Sequence, residues 1–218
     1  MVDYTISIKR PFSDITKLVI GIVVSIIPIV NLIAIGYQLN CAKTAMKRKF
    51  DLPEWTDIGG LLVKGLLALV IGLIYAIIPL GVIVFAGGTF AYAIWSAVMT
   101  GATPAIGSLL IGAGIGLLVG LLLLLFVAYI APIAVLKYIT TDKFGEAFDI
   151  GGVLGKAFSV SYFVSWLVAV VYSMIVSIIV GILVGWIPLL GPFLSMAISS
   201  FIGWVTAWTI FGQVYSEK

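Results

Sequence analysis

Six carboxylates, Asp51, Glu54, Asp57, Asp142, Glu146 and Asp149, are the groups with which this chain could do acid–base work or hold a divalent ion. They alternate with lysines and stand where helices would begin. Asp51 and Glu54 flank Pro53 at the N-cap and N3 spacing of a short helix, and Asp57 is placed to cap the helix after it. Capping alone accounts for them, so caps rather than catalysts are expected, and no enzyme. The chain has no His and a single cysteine, Cys41, which excludes a His-containing zinc site and an intramolecular disulfide. No metal and no cofactor are expected. The basic residues Lys43, Lys47, Arg48 and Lys49, together with Trp55, are the remaining candidates. Beside apolar runs they read as contacts to lipid headgroups or to a partner protein, not to nucleic acid, with Trp55 as an interfacial anchor.

The elements that must position these residues are set by composition. With 62% hydrophobic and 10% charged residues and a mean hydropathy of +1.27, the chain lies far from soluble domains, in which about a quarter of residues are charged. The charges fall in four clusters, residues 3 to 17, 43 to 64, 137 to 156 and 217 to 218, which leave uncharged runs of 25, 72 and 60 residues. Each exceeds the roughly 20 residues needed to cross hydrocarbon. The expectation is an all-α, polytopic transmembrane bundle in the cell membrane. It has about four full spans plus an N-terminal re-entrant hairpin or fifth span, and residues 1–218 form one integral membrane domain. The first apolar run is too long for a cleavable signal and no small-residue cleavage site follows it.

Glu146 to Lys156 matches Glu54 to Lys64 at seven of eleven positions, Asp-Ile-Gly-Gly included, which makes 54–64 and 146–156 a weak internal repeat and suggests two similar helices fed into one membrane. Pro11, Ser13 and Asp14 precede the first apolar run, as in an interfacial segment ending at a capped helix start. Within residues 18 to 42, Pro28-Ile-Val-Asn31 is either a kink in one crossing or the turn of a re-entrant hairpin. We favour the hairpin, because it keeps every charged cluster on one face, although its turn would need shielding by other helices. From Leu61 to Met99 the run is too long for one crossing. Gly87-Gly88 is the expected break, leaving Thr89 to Thr100 in the interface, with Pro79 as the rival. An uncharged turn at 101–107, a helix over 105–138, and spans over 161–186 and 189–211 joined by Ile-Pro-Leu-Leu-Gly-Pro complete the chain.

Small residues recur every four positions: Ser161 to Gly185 on one span, Gly112, Gly116 and Gly120 on another, Gly191 to Ala207 on the last, and Ala68, Gly72 and Ala76 on a fourth. In lipid, close backbone approach supplies the contact between helices, so these rows are expected to face neighbours, Gly116 and Gly181 among them. The uncharged runs hold no carboxylate, Lys or Arg, which argues against proton relay. Their polar side chains are hydroxyls with Asn31, Gln38, Asn40 and Gln213.

Gly36-Tyr37, the basic stretch Lys43 to Lys49, Phe50-Asp-Leu-Pro-Glu-Trp55, Tyr75-Ala-Ile-Ile-Pro79 and Phe144-Gly-Glu-Ala-Phe-Asp149 resemble an uncharacterised family of archaeal and bacterial integral membrane proteins, domain-of-unknown-function family 4013, over roughly residues 18 to 214. The resemblance implies a prokaryotic multi-pass protein and lends no activity and no catalytic residues. The basic stretch is poorer in Arg than that family's pattern, which weakens any specific phosphate recognition.

The expected role is a non-catalytic membrane protein that organises lipid or a partner complex, with a passive channel or transporter for a small neutral solute as the alternative. Membrane lipids are the expected partners, with a protein partner or homo-oligomer left open. Because nine of the twelve Lys and Arg residues lie from Lys43 onward, and short basic loops stay inside, both Asp-Ile-Gly-Gly segments are expected on the cytoplasmic side. Single cysteines at positions 54 and 146 in a Cys41-free variant should therefore be labelled from the same side. Labelling from opposite sides would place the two copies of the repeat on different faces of the membrane.

Overall fold

Asp14 opens the first apolar helix: its carboxylate accepts the Lys17 N–H at 3.1 Å, and α2 (Ile15–Ile26) begins there. Before it come α1 (Tyr4–Lys9), capped by Asp3, and a 3-10 turn at Arg10–Phe12. After it come α3 (Asn31–Met46), α4 (Ile58–Thr100), α5 (Pro104–Thr141), a 3-10 turn at Phe144–Phe148, α6 (Ile150–Ala157), α7 (Val160–Val184) and α8 (Gly191–Ser216). This computed structural model describes residues 2–101 and 104–217, and among them there is no strand. Four helices are long and apolar enough to cross a membrane, Ile58–Thr100, Ile111–Thr141, Val160–Val184 and Gly191–Ser216. The protein is an all-α membrane bundle.

Residues 18 to 42 form a hairpin. Lys17, in the first turn of α2, donates through Nζ to the Leu52 carbonyl at 2.9 Å, and its own carbonyl accepts from Trp55 Nε1 at 3.3 Å. The start of α2 therefore lies beside the chain leaving α3. Ile27 is extended, and the turn bonds itself through Asn31 N–H to Ile27 O at 2.7 Å and Ile33 N–H to Val30 O at 2.9 Å. The expected shield is absent at the tip, where Pro28 and Ile29 are exposed, because these turn bonds satisfy backbone groups that would otherwise need one.

The expected break at Gly87-Gly88 does not form, and neither does its rival at Pro79. The helix runs unbroken through Pro79 and Gly87-Gly88 for 43 residues, about 65 Å at 1.5 Å per residue, so Thr89 to Thr100 continue α4 and are not a separate interfacial piece. A glycine costs a helix only ~1 kcal/mol, less than the backbone hydrogen bonds that an interruption would leave unmade. The short helix expected around Pro53 is also missing. Residues 50 to 57 are irregular, and the Asp51 carbonyl accepts from Arg10. The expected turn at 101–107 shrinks, since α5 resumes at Pro104 after Gly101 in the left-handed region (φ 64°), while Ala102 and Thr103 lie outside the described residues.

The two Asp-Ile-Gly-Gly segments share one cap. Asp57 Oδ1 accepts Gly60 N–H at 3.0 Å and Asp149 Oδ1 accepts Gly152 N–H at 3.2 Å. The helices they start differ in length: 43 residues after Asp57, against the 8-residue α6 after Asp149.

The contacts divide into two compact units, Met1–Val70 with Pro132–Lys218, and Ile71–Ala131. In the first, α8 is the axis. Every residue from Phe201 to Val214 except Trp204 is buried, against α7 on one side and the α2–α3 hairpin on another. Glycines set the closest approaches. A Cβ on Gly36 would lie 1.9 Å from the Leu61 carbonyl oxygen, one on Gly65 1.9 Å from that of Leu32, and one on Gly212 2.5 Å from that of Ala42. In the second unit α4 and α5 run side by side, with Gly116 against Ala86 and Gly120 against Ile83. An apolar groove beside that contact is lined by Val82, Phe85, Thr89 and Gly112.

Most side chains facing away from neighbours on α4, α5 and α7, such as Ile77, Leu121 and Ile182, are large and apolar, which suits lipid and not water. The small-residue rows face neighbours only in part. Gly203 abuts Ser173 and Gly116 abuts Ala86, but space around Gly181, Gly112 and Gly72 is open, because a row repeating every four residues rotates gradually off one face of a helix with 3.6 residues per turn. Gly36→Ala or Gly65→Ala should therefore destabilise the protein in detergent by about 1–3 kcal/mol through overpacking, while Gly181→Ala should be neutral or slightly stabilising. Thermal unfolding of the three variants checks this.

Candidate functional site

The polar chemistry of the first unit gathers around Arg10. Asp3 accepts the Ile6 N–H at 2.9 Å and starts α1, and the single turn after it delivers Arg10 to the bundle, where it is 2% exposed. One terminal nitrogen donates to the Cys41 carbonyl at 2.7 Å and Thr209 Oγ1 at 3.0 Å. The other donates to Thr44 Oγ1 at 2.5 Å and to the carbonyls of Asp51 at 3.0 Å and Lys49 at 3.4 Å. Its Nε has no partner among the described residues. Burial draws the Arg10 pKa below its ordinary value, yet an arginine stays charged. Taking that charge from water costs several kcal/mol, which offsets much of what its bonds, about 1.5–3 kcal/mol each at best, contribute.

The same segment is tied down at two more points. Gln213 Nε2 donates to Ser7 Oγ at 2.7 Å while its Oε1 accepts the Asp3 N–H at 2.9 Å, and the Tyr4 hydroxyl meets Ser165 Oγ at 3.0 Å. Next to it, the Tyr37 and Trp55 rings stack 3.8 Å apart with an interplanar angle of 3°, and Tyr37 donates to the Pro53 carbonyl at 2.9 Å. Phe201 of α8 completes the stack at 6.1 Å from Tyr37. The irregular stretch after α3 is thus fastened to α2, α3 and α8.

The candidate residues named from the sequence separate into two groups. Lys43 is paired with Asp142 at 2.9 Å, and Trp55 is half-buried on Tyr37. Lys47, Arg48 and Lys49 are exposed in the turn that ends α3, with Arg48 at φ 56°, and neither Lys47 nor Lys49 makes an ion pair among the described residues. The carboxylates mostly have structural partners. Glu54 accepts from Lys17 at 2.6 Å, which raises the Lys17 pKa, Asp142 holds Lys43, and Asp57 and Asp149 cap helices. Among the described residues, no three His, Cys, Asp or Glu side chains cluster to hold a metal.

Residues 19–185 match the model of a family described as "Protein of unknown function (DUF4013)". The chain belongs to this family. No curated protein and no solved structure matches it. The matched stretch contains the hairpin, Trp55 and both Asp-Ile-Gly-Gly caps, while α1, Arg10 and α8 lie outside it. The resemblance read from the motifs therefore holds, over a shorter stretch than 18 to 214.

Arg10, Lys17 and Thr209 are not legible as a site in the sequence. The uncharged runs suggest that no ionisable group is buried, and Arg10 corrects this: it lies outside those runs in sequence but is carried into the bundle end by α1. The usable signals are an Arg-Pro pair in an interfacial segment, and Gln213 in an otherwise apolar helix.

Asp149 also pairs with Lys137, and this hydrogen bond, followed by the one from Gly152 N–H, lowers its pKa. A depressed folded-state pKa contributes stability that is complete above the unfolded value of about 3.9 and is lost as pH falls through the lower folded value. Wild type should therefore lose more thermal stability than Asp149→Asn as pH is lowered from about 5 to below 3, measured as unfolding midpoints in detergent.

Proposed function

We propose that this membrane protein is non-catalytic, resides in the cell membrane, and gathers anionic lipid headgroups against its charged end. The observation that carries the reading is the exposed basic turn, Lys47-Arg48-Lys49. The neighbouring lysines Lys17, Lys43 and Lys137 are spent on Glu54, Asp142 and Asp149, whereas Lys47 and Lys49 have no ion pair among the described residues. The turn is also held by its own hydrogen bonds. Lys47 and Lys49 N–H groups both donate to the Thr44 carbonyl at 3.0 Å, Arg48 N–H donates to the Ala45 carbonyl at 2.9 Å, and Arg10 holds the Lys49 carbonyl. A fixed basic turn beside a membrane surface attracts anionic headgroups with about 1 kcal/mol per lysine.

A second reading, a passive path for a small neutral solute, is favoured by one feature: Ser199 and Thr206 are buried along α8, where apolar side chains would pack as well. The two readings separate experimentally. For the first, Lys47→Gln with Lys49→Gln should lower the ratio of anionic to zwitterionic lipid that copurifies with the protein, by about fivefold per lysine, as read by lipid mass spectrometry. An unchanged ratio, with solute flux in reconstituted liposomes, would replace it by the second.

A further inference from the structure

The N-terminal segment is docked by its polar side. Tyr4, Ser7 and Arg10 recur at three-residue spacing and face the bundle, while Ile6, Ile8 and Phe12 are 38%, 36% and 49% exposed. A helix usually attaches to a bundle by burying its apolar stripe. Here Pro11 is the buried apolar residue and the other contacts that hold the segment are hydrogen bonds, to Ser165 on α7, to Thr209 and Gln213 on α8, to Cys41 and Thr44 on α3, and to the Lys49 and Asp51 carbonyls. When the segment lifts, these bonds are replaced by bonds to water and the Arg10 charge is rehydrated, which offsets much of their loss, whereas exposing a buried apolar stripe has no such offset.

The recess under Arg10 has a definite shape. Carbonyls of Cys41, Lys49 and Asp51 and hydroxyls of Thr44 and Thr209 converge on the two terminal nitrogens of a planar fork, and among the described residues no carboxylate hydrogen-bonds to it. Five neutral acceptors in that arrangement select the guanidinium outline over a compact ammonium. The Cys41 and Thr44 acceptors lie in the last turns of α3, where the helix dipole adds negative potential.

We propose that residues 3–12 are a displaceable strap, and that its Arg10 fills in cis a guanidinium-binding recess formed by α3, α8 and the turn after α3. Lifting the strap opens the recess, Ser165 and Gln213 to water and leaves the packing of α2, α3, α7 and α8 in place. The ligand class for the vacated recess is a planar guanidinium group.

Ser7 is fully buried and reports the strap directly. In a Cys41→Ala background, Ser7→Cys gives a single thiol whose reaction with maleimide follows strap release. At least 20 °C below the unfolding midpoint, measurable labelling of this protein with helical content unchanged is the expected result. Labelling confined to the global unfolding transition would show a fixed element and overturn the strap. Adding Arg10→Ala should raise the labelling rate tenfold or more. Millimolar guanidinium chloride should shift the unfolding midpoint of the Arg10→Ala protein upward, with tetramethylammonium chloride and urea as controls that do not. Arg10→Lys should behave like Arg10→Ala. Equal midpoints with guanidinium and the controls would overturn the recess, and if Arg10→Ala fails to fold, the temperature dependence of labelling with Arg10 present decides the strap.

Discussion

In hydrocarbon no water is available to satisfy a backbone N–H or carbonyl, and the architecture derives from that constraint. It favours unbroken helices, and α4 runs on through Pro79 and the Gly87-Gly88 pair. The α2–α3 hairpin obeys the same rule by another route. Its turn completes its own bonds through Asn31 and Ile33, and so can stand exposed at the tip.

Contact between helices then depends on how near two backbones can come. Gly36 and Gly65 each face a carbonyl of the opposite helix at a distance that leaves no room for a methyl group, and this brings α3 against the start of α4. Gly212 does the same for α3 and α8. Gly181 carries no contact, although α7 and α8 stay together there through Ser195 and the Val180 carbonyl, because it faces away from α8.

At the charged end polar interactions take over. Lys17, Glu54 and the Trp55–Tyr37–Phe201 stack fix the stretch after α3, and that fixed stretch presents both the carbonyls that hold Arg10 and the exposed Lys47 and Lys49. A buried cation and a basic surface turn therefore share one support, the backbone at Lys49.

The class of the fold and the caps can be read from the chain, because both depend on interactions within a few residues. Long uncharged runs can only be membrane helices, and an Asp three residues before an unsatisfied N–H caps whatever helix begins there, as Asp14, Asp57 and Asp149 do. The hairpin at Pro28 is legible from charge placement, since one crossing would split the basic residues between two faces. Helix continuity at Gly87-Gly88 is not, because two glycines lower helix stability by only ~1 kcal/mol each and so do not by themselves decide where a helix ends. The small-residue rows show which faces can touch but not how far along, since that is set by crossing geometry. The burial of Arg10 is decided by tertiary structure alone. Its acceptors come from residues 41, 44, 49, 51 and 209, and nothing local in Ile-Lys-Arg-Pro-Phe states that these carbonyls and hydroxyls converge on one guanidinium.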